Sequence, residues 1–498
     1  MHYDLVVIGT GPSGQKGAIA AAKMGKKVAI VERNRKAVGG VCLHTGTVPS
    51  KTIREAILFL TGYRQKEVYG ERYSRKRHIQ MDDLRKKLSE VVGRERRVIL
   101  DQLERNFIDI YDGEAAFVNE NEIEVANKDR SVRLTADYTL LATGSKPHRP
   151  THIPFDGETV FDSDEILTIE RIPRSMIVIG GGVIGIEYGI MFAALGVKIT
   201  IVDGQDTLLG FCDSEIVDHL MFTARSLGIT FRTGESVRSV KQASRNRVIV
   251  ELESQKKIVG ETAFFSVGRK GDTEFLNLAA AGVEVDKRER VKCNENYETS
   301  SPCVFAVGDV IGFPALASTS MEQGRQAASR IFERKKVSTG EIPYGLFTIP
   351  EIAMVGKTEQ ELTAEKIPFE IGVSRFEELA KSQICGGHDG LLKLLFHRES
   401  RKLLGVHCIG DTATEIIHIG QTIMAFDGTI DYLANAIFNH PTMAESYKVA
   451  AFDGLNRLCA DVDDCLGTLF EDASEHDVDP VAIPATVVDT TLETTSVS

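Results

Sequence analysis

Residues Tyr3–Glu32 read YDLVVIGTGPSGQKGAIAAAKMGKKVAIVE. A short apolar run, a glycine-rich turn, an alanine-rich stretch and a second apolar run follow one another, in the order strand, turn, helix, strand. Gly9, Gly11 and Gly14 give the spacing GxGxxG at the strand-to-helix turn. The first glycine permits the tight turn, the second lets a pyrophosphate come up to the backbone, and the third lets helix and strand pack closely. An anion placed there meets free N–H groups and the positive end of the helix dipole. Glu32 closes the second run about 20 residues on, where a carboxylate takes ribose hydroxyls.

The pattern recurs in Ser175–Asp203, SMIVIGGGVIGIEYGIMFAALGVKITIVD, with Gly180, Gly182 and Gly185 at the turn and Asp203 ending the next strand. Two such units about 170 residues apart imply two dinucleotides on one chain. Asp203 favours a free 2′-hydroxyl, as in NAD(H), because a 2′-phosphate would face a carboxylate. Gly204, Gln205 and Asp206 offer no arginine to receive that phosphate. A third segment, Thr299–Pro314, reads TSSPCVFAVGDVIGFP, in which a buried strand delivers Asp309 to a turn. A carboxylate there suits hydrogen bonding to a polyol or phosphate better than burial unpaired.

At 498 residues the chain is too long for one core, and about three domains are expected at roughly 150 residues each. Its first strand opens without a basic leader or an apolar signal core, and no long uncharged apolar window predicts a membrane span. The eight cysteines fall without paired or metal-type spacing, so no metal site is expected and a reducing cytoplasm is the expected compartment. The net charge of −12 is concentrated at one end: ten Asp or Glu and no Lys or Arg follow Arg457. From about Glu471 the chain reads as a disordered acidic tail. The basic region Arg64–Arg105 carries apolar residues at helical spacing (Leu84, Leu88, Val91, Val92, Ile99, Leu103), which predicts a long exposed helix and no nucleic-acid surface.

Together these residues resemble the two-dinucleotide flavoprotein family of lipoamide dehydrogenase and glutathione reductase, over about residues 3–458. Gly9, Gly11, Gly14 and Glu32 match its FAD ADP-site, and Ala142, Thr143 and Gly144 in LLATGSKP match the strand returning to that domain. Asp309, beside Gly308, matches the residue that family uses on the flavin ribitol. Gly180, Gly182, Gly185 and Glu187 match the nicotinamide-nucleotide unit, and VGRK around Gly268 its closing strand. The run LFTIPEIAMVGKTEQEL resembles the start of the dimerisation domain, and HPTMAE, His440–Glu445, the terminal acid–base dyad. The implied fold is α/β, with two Rossmann-like dinucleotide-binding domains and a C-terminal α+β dimerisation domain. Its expected limits are 1–152 with 276–342 for FAD, 153–275 for NAD(P), 343–458 for the interface and 459–498 for the tail. A homodimer or larger homo-oligomer is implied.

In that family the redox loop reads C-x4-C, whereas Gly39–Lys51 here is GGVCLHTGTVPSK. Cys42 aligns with the sulfur that exchanges with a disulfide substrate, and Thr47 stands where the flavin-side sulfur belongs. Threonine cannot form a disulfide, so the relay from flavin to an external disulfide is cut. The resemblance is closest to a subgroup, the soluble FAD-containing pyridine nucleotide transhydrogenases, although members of that subgroup often carry Tyr at the position of His440. It implies hydride exchange between NADPH and NAD⁺ through bound FAD, with one nucleotide site serving both partners in turn and hence ping-pong kinetics. Lys51 is expected to pair with Glu187 beside the flavin, where Gly40, Cys42 and Thr47 also contact cofactor. His440 with Glu445 is read either as an acid–base pair or as a structural remnant, and Cys42 as a packing residue.

Two other functions compete. An NAD(P)H oxidase, diaphorase or quinone reductase of the same family would send electrons from flavin to oxygen or a quinone, but single-cysteine oxidases need the sulfur at the position held here by Thr47. A redox-silent FAD scaffold would have no use for Lys51, Glu187 and an intact second nucleotide turn. Asp203 predicts NAD(H) competence, while transhydrogenation requires the 2′-phosphate to be tolerated. Either Asp203 swings aside for a cation elsewhere, or the enzyme is an NADH diaphorase.

Overall fold

A computed structural model describes residues 1–70, 76, 78–244, 246–333, 340–387 and 389–458. The acidic tail, 459–498, lies outside the described residues. Three of the five sheets among the described residues organise the rest.

The first is centred on the strand His2–Ile8, parallel to Val28–Glu32 on one side and to Ser131–Leu141 on the other. Asp109–Asp112 extends it beyond Val28–Glu32. Leu5–Ile8 and all of Val28–Glu32 are buried, as the unbroken apolar runs require of central parallel strands. Val304–Ala306 returns from far along the chain to pair with the end of Ser131–Leu141, which delivers Asp309 next to Ala142–Gly144.

The second sheet is parallel, in the order Thr230–Arg232, Lys198–Val202, Ser175–Ile179, Thr262–Phe265, Val160–Asp162. The helix Val183–Ala194 is apolar nearly all round, with Gly185–Ala193 buried. It packs on one face, and an antiparallel meander of Val237–Ser244, Arg247–Leu252 and Lys257–Gly260 covers the other.

The third sheet is antiparallel, in the order Tyr344–Leu346, Ile352–Gly356, Leu403–Ile409, Leu391–His397, Phe369–Arg375. Helices Ala413–Ala425, Ile430–Asn435 and Glu445–Leu458 cover one face. Leu346, Ile349, Ile352, Leu391 and Ile409 join a core shared with the helices Thr47–Thr61 and Val183–Ala194. That shared core brings Lys51, Glu187 and the segment Phe347–Thr348 to one place.

The basic region forms two helices, Tyr63–Tyr69 and Met81–Glu104, where one long helix is expected. The second begins at a capping box made by Gln80 and Asp83, which fixes its start. Its buried positions are Met81, Leu84 and Leu103, with Leu88 and Ile99 partly buried against the core and much of the rest exposed. Among the described residues no helix is long and apolar enough to cross a membrane.

Candidate active site

The first glycine turn has two closed sides and one open one. Gly9 has φ +107°, and a Cβ there would lie 2.3 Å from the Ala142 carbonyl oxygen. A Cβ on Gly14 would lie 2.0 Å from the Gly9 carbonyl oxygen, so helix and strand meet backbone to backbone. A Cβ on Gly11 would meet nothing within 4 Å. Gly11 caps the helix Pro12–Lys23, whose first position is proline, a residue that gives up no needed N–H there. The open space therefore lies at the helix N-terminus. Glu32 flanks it, buried, with Oε2 accepting from Thr10 Oγ1 at 2.5 Å and Oε1 from the Asn34 N–H at 3.2 Å.

A cavity of about 1010 Å³ runs from this turn to the first turn of Val183–Ala194. Gly9, Gly11, Glu32, Gly40, Cys42, Thr47, Lys51, Ala142, Thr143, Gly144, Glu187 and Asp309 all line it. It is at the upper end of the range for small-molecule sites, as a dinucleotide demands. The residues fit FAD: room at a helix N-terminus, a carboxylate at the ribose position and a second carboxylate, Asp309, further along the wall.

The Cys42 loop crosses the cavity wall as the short helix Gly40–His44, followed by Thr47–Thr61. Thr47 and Cys42 line the same stretch of that wall. Burial pushes the Cys42 thiol above its ordinary range despite Thr47 and the nearby Lys51. One turn on, Lys51 Nζ donates to Glu187 Oε2 at 2.6 Å. Glu187 Oε1 accepts from the Phe347 N–H at 2.8 Å, and the Lys51 ammonium lies 4.7 Å from the centre of the Phe347 ring. Asp309 Oδ2 accepts from Ser145 Oγ at 2.9 Å, and Ser145 Oγ accepts from Arg269 Nε at 2.8 Å. Arg269 also donates to Asp164 Oδ1 at 3.2 Å. Burial raises the Asp164 carboxyl above the usual carboxylate range, and Arg269 opposes the rise.

Sequence reasoning missed Ser145, Asp164, Arg269 and Phe347. Arg269 follows Gly268, which has φ +84° in the turn three residues after the buried strand Thr262–Phe265. A cation placed by a glycine turn just beyond a buried strand is the sequence signal for Arg269.

The second glycine turn repeats the first. Gly180 has φ +104°, a Cβ on Gly185 would lie 1.9 Å from the Gly180 carbonyl oxygen, and one on Gly182 would meet nothing. Asp203 Oδ2 accepts from the Gly181 N–H at 2.5 Å and Oδ1 from the Gln205 N–H at 2.7 Å. His440 and Glu445 come together, Nδ1 to Oε1 at 2.7 Å, but neither lines this chain's cavity, and the His440 side chain is 67% exposed. The bond from His440 holds the Glu445 carboxyl below its ordinary range.

A second glycine turn, whose Gly180, Gly182, Gly185 and Asp203 lie outside the cavity wall but whose helix reaches it at Val183 and Glu187, makes the arrangement that of a two-dinucleotide oxidoreductase. The chain belongs to the pyridine nucleotide-disulphide oxidoreductase family, which it matches over residues 3–324, with the family's dimerisation domain at 342–451. It is 50% identical over 462 residues to a soluble pyridine nucleotide transhydrogenase of Mycobacterium tuberculosis, covering 92% of this chain and 98% of that protein. The same name belongs to proteins of Aliivibrio fischeri, 44% identical (92% of this chain, 98% of that one), and Pseudomonas aeruginosa, 43% identical (92% and 99%). In fold it is similar to the HOCl-induced flavoprotein disulfide reductase RclA of Escherichia coli, with a TM-score of 0.81 at 25% identity over 90% of this chain and 99% of that one.

Proposed function

We propose that this chain is a soluble pyridine nucleotide transhydrogenase, exchanging a hydride between NADPH and NAD⁺ by a ping-pong mechanism at one FAD. The observation that carries this reading is that Cys42 and Thr47, not two cysteines, share the cavity wall beside Lys51. A hydroxyl stands where a dithiol would need its second sulfur, and the remaining thiol is held protonated. Every other part of the redox wall is kept. Bound FAD supplies the two-electron store, taking a hydride from a reduced nicotinamide and returning it to an oxidised one.

The chain's own residues do the rest. Gly9, Gly11 and Gly14 open the helix N-terminus to the pyrophosphate, and Glu32 takes the ribose hydroxyls. Ser145 and Arg269 orient Asp309 toward the ribitol. Lys51 presents its ammonium at the cavity wall to stabilise negative charge that develops there, and Glu187 fixes where that ammonium points. Asp203, held by two N–H groups, takes the nicotinamide nucleotide's ribose and favours NADH.

The division into FAD (1–152, 276–342), NAD(P) (153–275) and interface (343–458) regions is part of this reading. So are a homodimer in which the exposed His440–Glu445 pair completes the second subunit's cavity, and a cytoplasmic location.

Anaerobic titration tests the function. NADPH should bleach the oxidised flavin, and NAD⁺ should restore it. A flavin that NADPH reduces but only oxygen or a quinone re-oxidises identifies a diaphorase and refutes the transhydrogenase reading.

A further inference from the structure

Lys51 and Glu187 come from two different helices, and one residue of a third segment touches both. The Phe347 N–H donates to Glu187 Oε1 at 2.8 Å, while its ring lies beneath the Lys51 ammonium at 4.7 Å. The next residue, Thr348, is fully buried, and its carbonyl accepts from Arg54 Nε at 3.0 Å. Arg54 sits on the same helix as Lys51, three residues on, and its Nη1 reaches Glu351 at 3.2 Å. Phe347–Glu351 is thus fastened to the Lys51 helix at Arg54 and to the Val183–Ala194 helix at Glu187.

We infer that Phe347 is a positioning residue of this site, completing a three-part arrangement in which its backbone orients Glu187 and its ring face holds the Lys51 ammonium toward the cavity. The inference rests on the role given to Lys51 above. An ammonium has three N–H directions. One is spent on Glu187 and one side of the cation faces the Phe347 ring, which leaves the third direction to a bound ligand. An aliphatic side chain of similar bulk fills the space but gives no such attraction. A tyrosine keeps it.

The test is the reduction potential of the flavin in FAD-loaded wild type, Phe347→Leu, Phe347→Tyr, Lys51→Met and Lys51→Met/Phe347→Leu. Lys51→Met should lower the potential. Phe347→Leu should lower the equilibrium constant for flavin reduction by on the order of threefold, the scale of one cation–π contact. Phe347→Tyr should match wild type, and Phe347→Leu should add nothing once Lys51 is gone. If Phe347→Leu does not load FAD, Phe347→Met, flexible and apolar without a π face, carries the comparison. A wild-type potential in Phe347→Leu, with a shift in Lys51→Met, refutes the positioning role alone. A wild-type potential in Lys51→Met refutes the role of Lys51 and this inference with it. Equal shifts in Phe347→Leu and Phe347→Tyr also overturn it, since any loss of packing would produce them.

Discussion

Lys51→Met removes one charged atom and little volume. In the protein, Nζ lies 2.6 Å from Glu187 Oε2, with the Lys51 side chain 25% exposed and the Glu187 side chain 6% exposed. The pair is therefore asymmetric: both residues line the cavity, but the ammonium is the more open of the two. A preorganised donor aimed at developing negative charge is worth roughly 10²–10³-fold in rate when removed. Here part of that field is neutralised by Glu187, and an ion pair's field falls off faster than that of a lone charge. The expected loss is accordingly smaller, on the order of 10- to 100-fold in the rate of flavin reduction by NADH. FAD content should be unchanged, because Glu32 and the glycine turn lie at the other end of the cavity and Glu187 keeps its Phe347 N–H. Anaerobic stopped-flow spectroscopy of the flavin band measures the rate directly. Reduction of Lys51→Met at the wild-type rate would refute the electrostatic role. Loss of FAD from the variant would refute the argument in another way, by making the pair structural.

The two kinds of glycine separate cleanly. Gly14→Ala puts a methyl 2.0 Å from the Gly9 carbonyl oxygen and should cost the fold, read as lost soluble protein or a lowered melting temperature, whereas Gly11→Ala meets no protein atom and should fold normally but purify with less FAD. Cys42→Ser should keep the transhydrogenase rate within about twofold, and the raised Cys42 thiol should alkylate more slowly at pH 8 than the exposed Cys385, as mass spectrometry of iodoacetamide-treated protein would reveal. Asp203→Asn removes a charge facing the ribose corner and should narrow the preference for NADH over NADPH, measured as the ratio of their dissociation constants; an unchanged ratio means that discrimination lies elsewhere. Burial alone would raise the Asp389 carboxyl, but His219 and Thr223 pull it below the ordinary range. A depressed folded pKa gives stability that is present above about pH 4 and lost as the pH falls further. Asp389→Asn should therefore flatten the acid side of a plot of melting temperature against pH.

How much of this could be read from the chain depends on how local each feature is. Gly9, Gly11, Gly14 and Glu32 act within one strand–turn–helix–strand unit, so spacing alone expresses them, and the same holds for Gly180, Gly182, Gly185 and Asp203. The Lys51–Glu187 pair spans 136 positions and was legible only through family resemblance. Ser145, Asp164 and Arg269 form one cluster from three segments, joined where the antiparallel strands Ser145–Pro147 and Arg269–Gly271 meet. No periodicity marks such a junction, because each residue is ordinary in its own stretch. Phe347 is harder still. Half its contribution is a backbone N–H, which every residue but proline carries. His440 and Glu445 were legible as a pair five residues apart, but the sequence could not say which cavity they face, and they do not line the cavity that holds Lys51 in their own chain.

The ribose corner bears on how one site can serve two nucleotides. Asp203 is tied by two short bonds, to the Gly181 and Gln205 N–H groups, so swinging the carboxylate aside would strand both donors. Asp206, exposed three residues on, adds a second negative charge to the same turn. On the proposed role of Asp203, a 2′-phosphate would be accepted against two carboxylates, and NADP(H) is expected to bind more weakly than NAD(H). For a ping-pong exchange this is no defect. The first product must leave before the second substrate can enter, and the site that delivered the hydride is the one it must vacate. A phosphate clamp strong enough to hold NADPH would hold NADP⁺ equally well, because the 2′-phosphate does not change in the reaction, and uniform binding of that kind adds nothing to the chemical step. Weak, equal binding of both NADP forms would let the dinucleotide with the free hydroxyl take the site next, which is the selection proposed for Asp203.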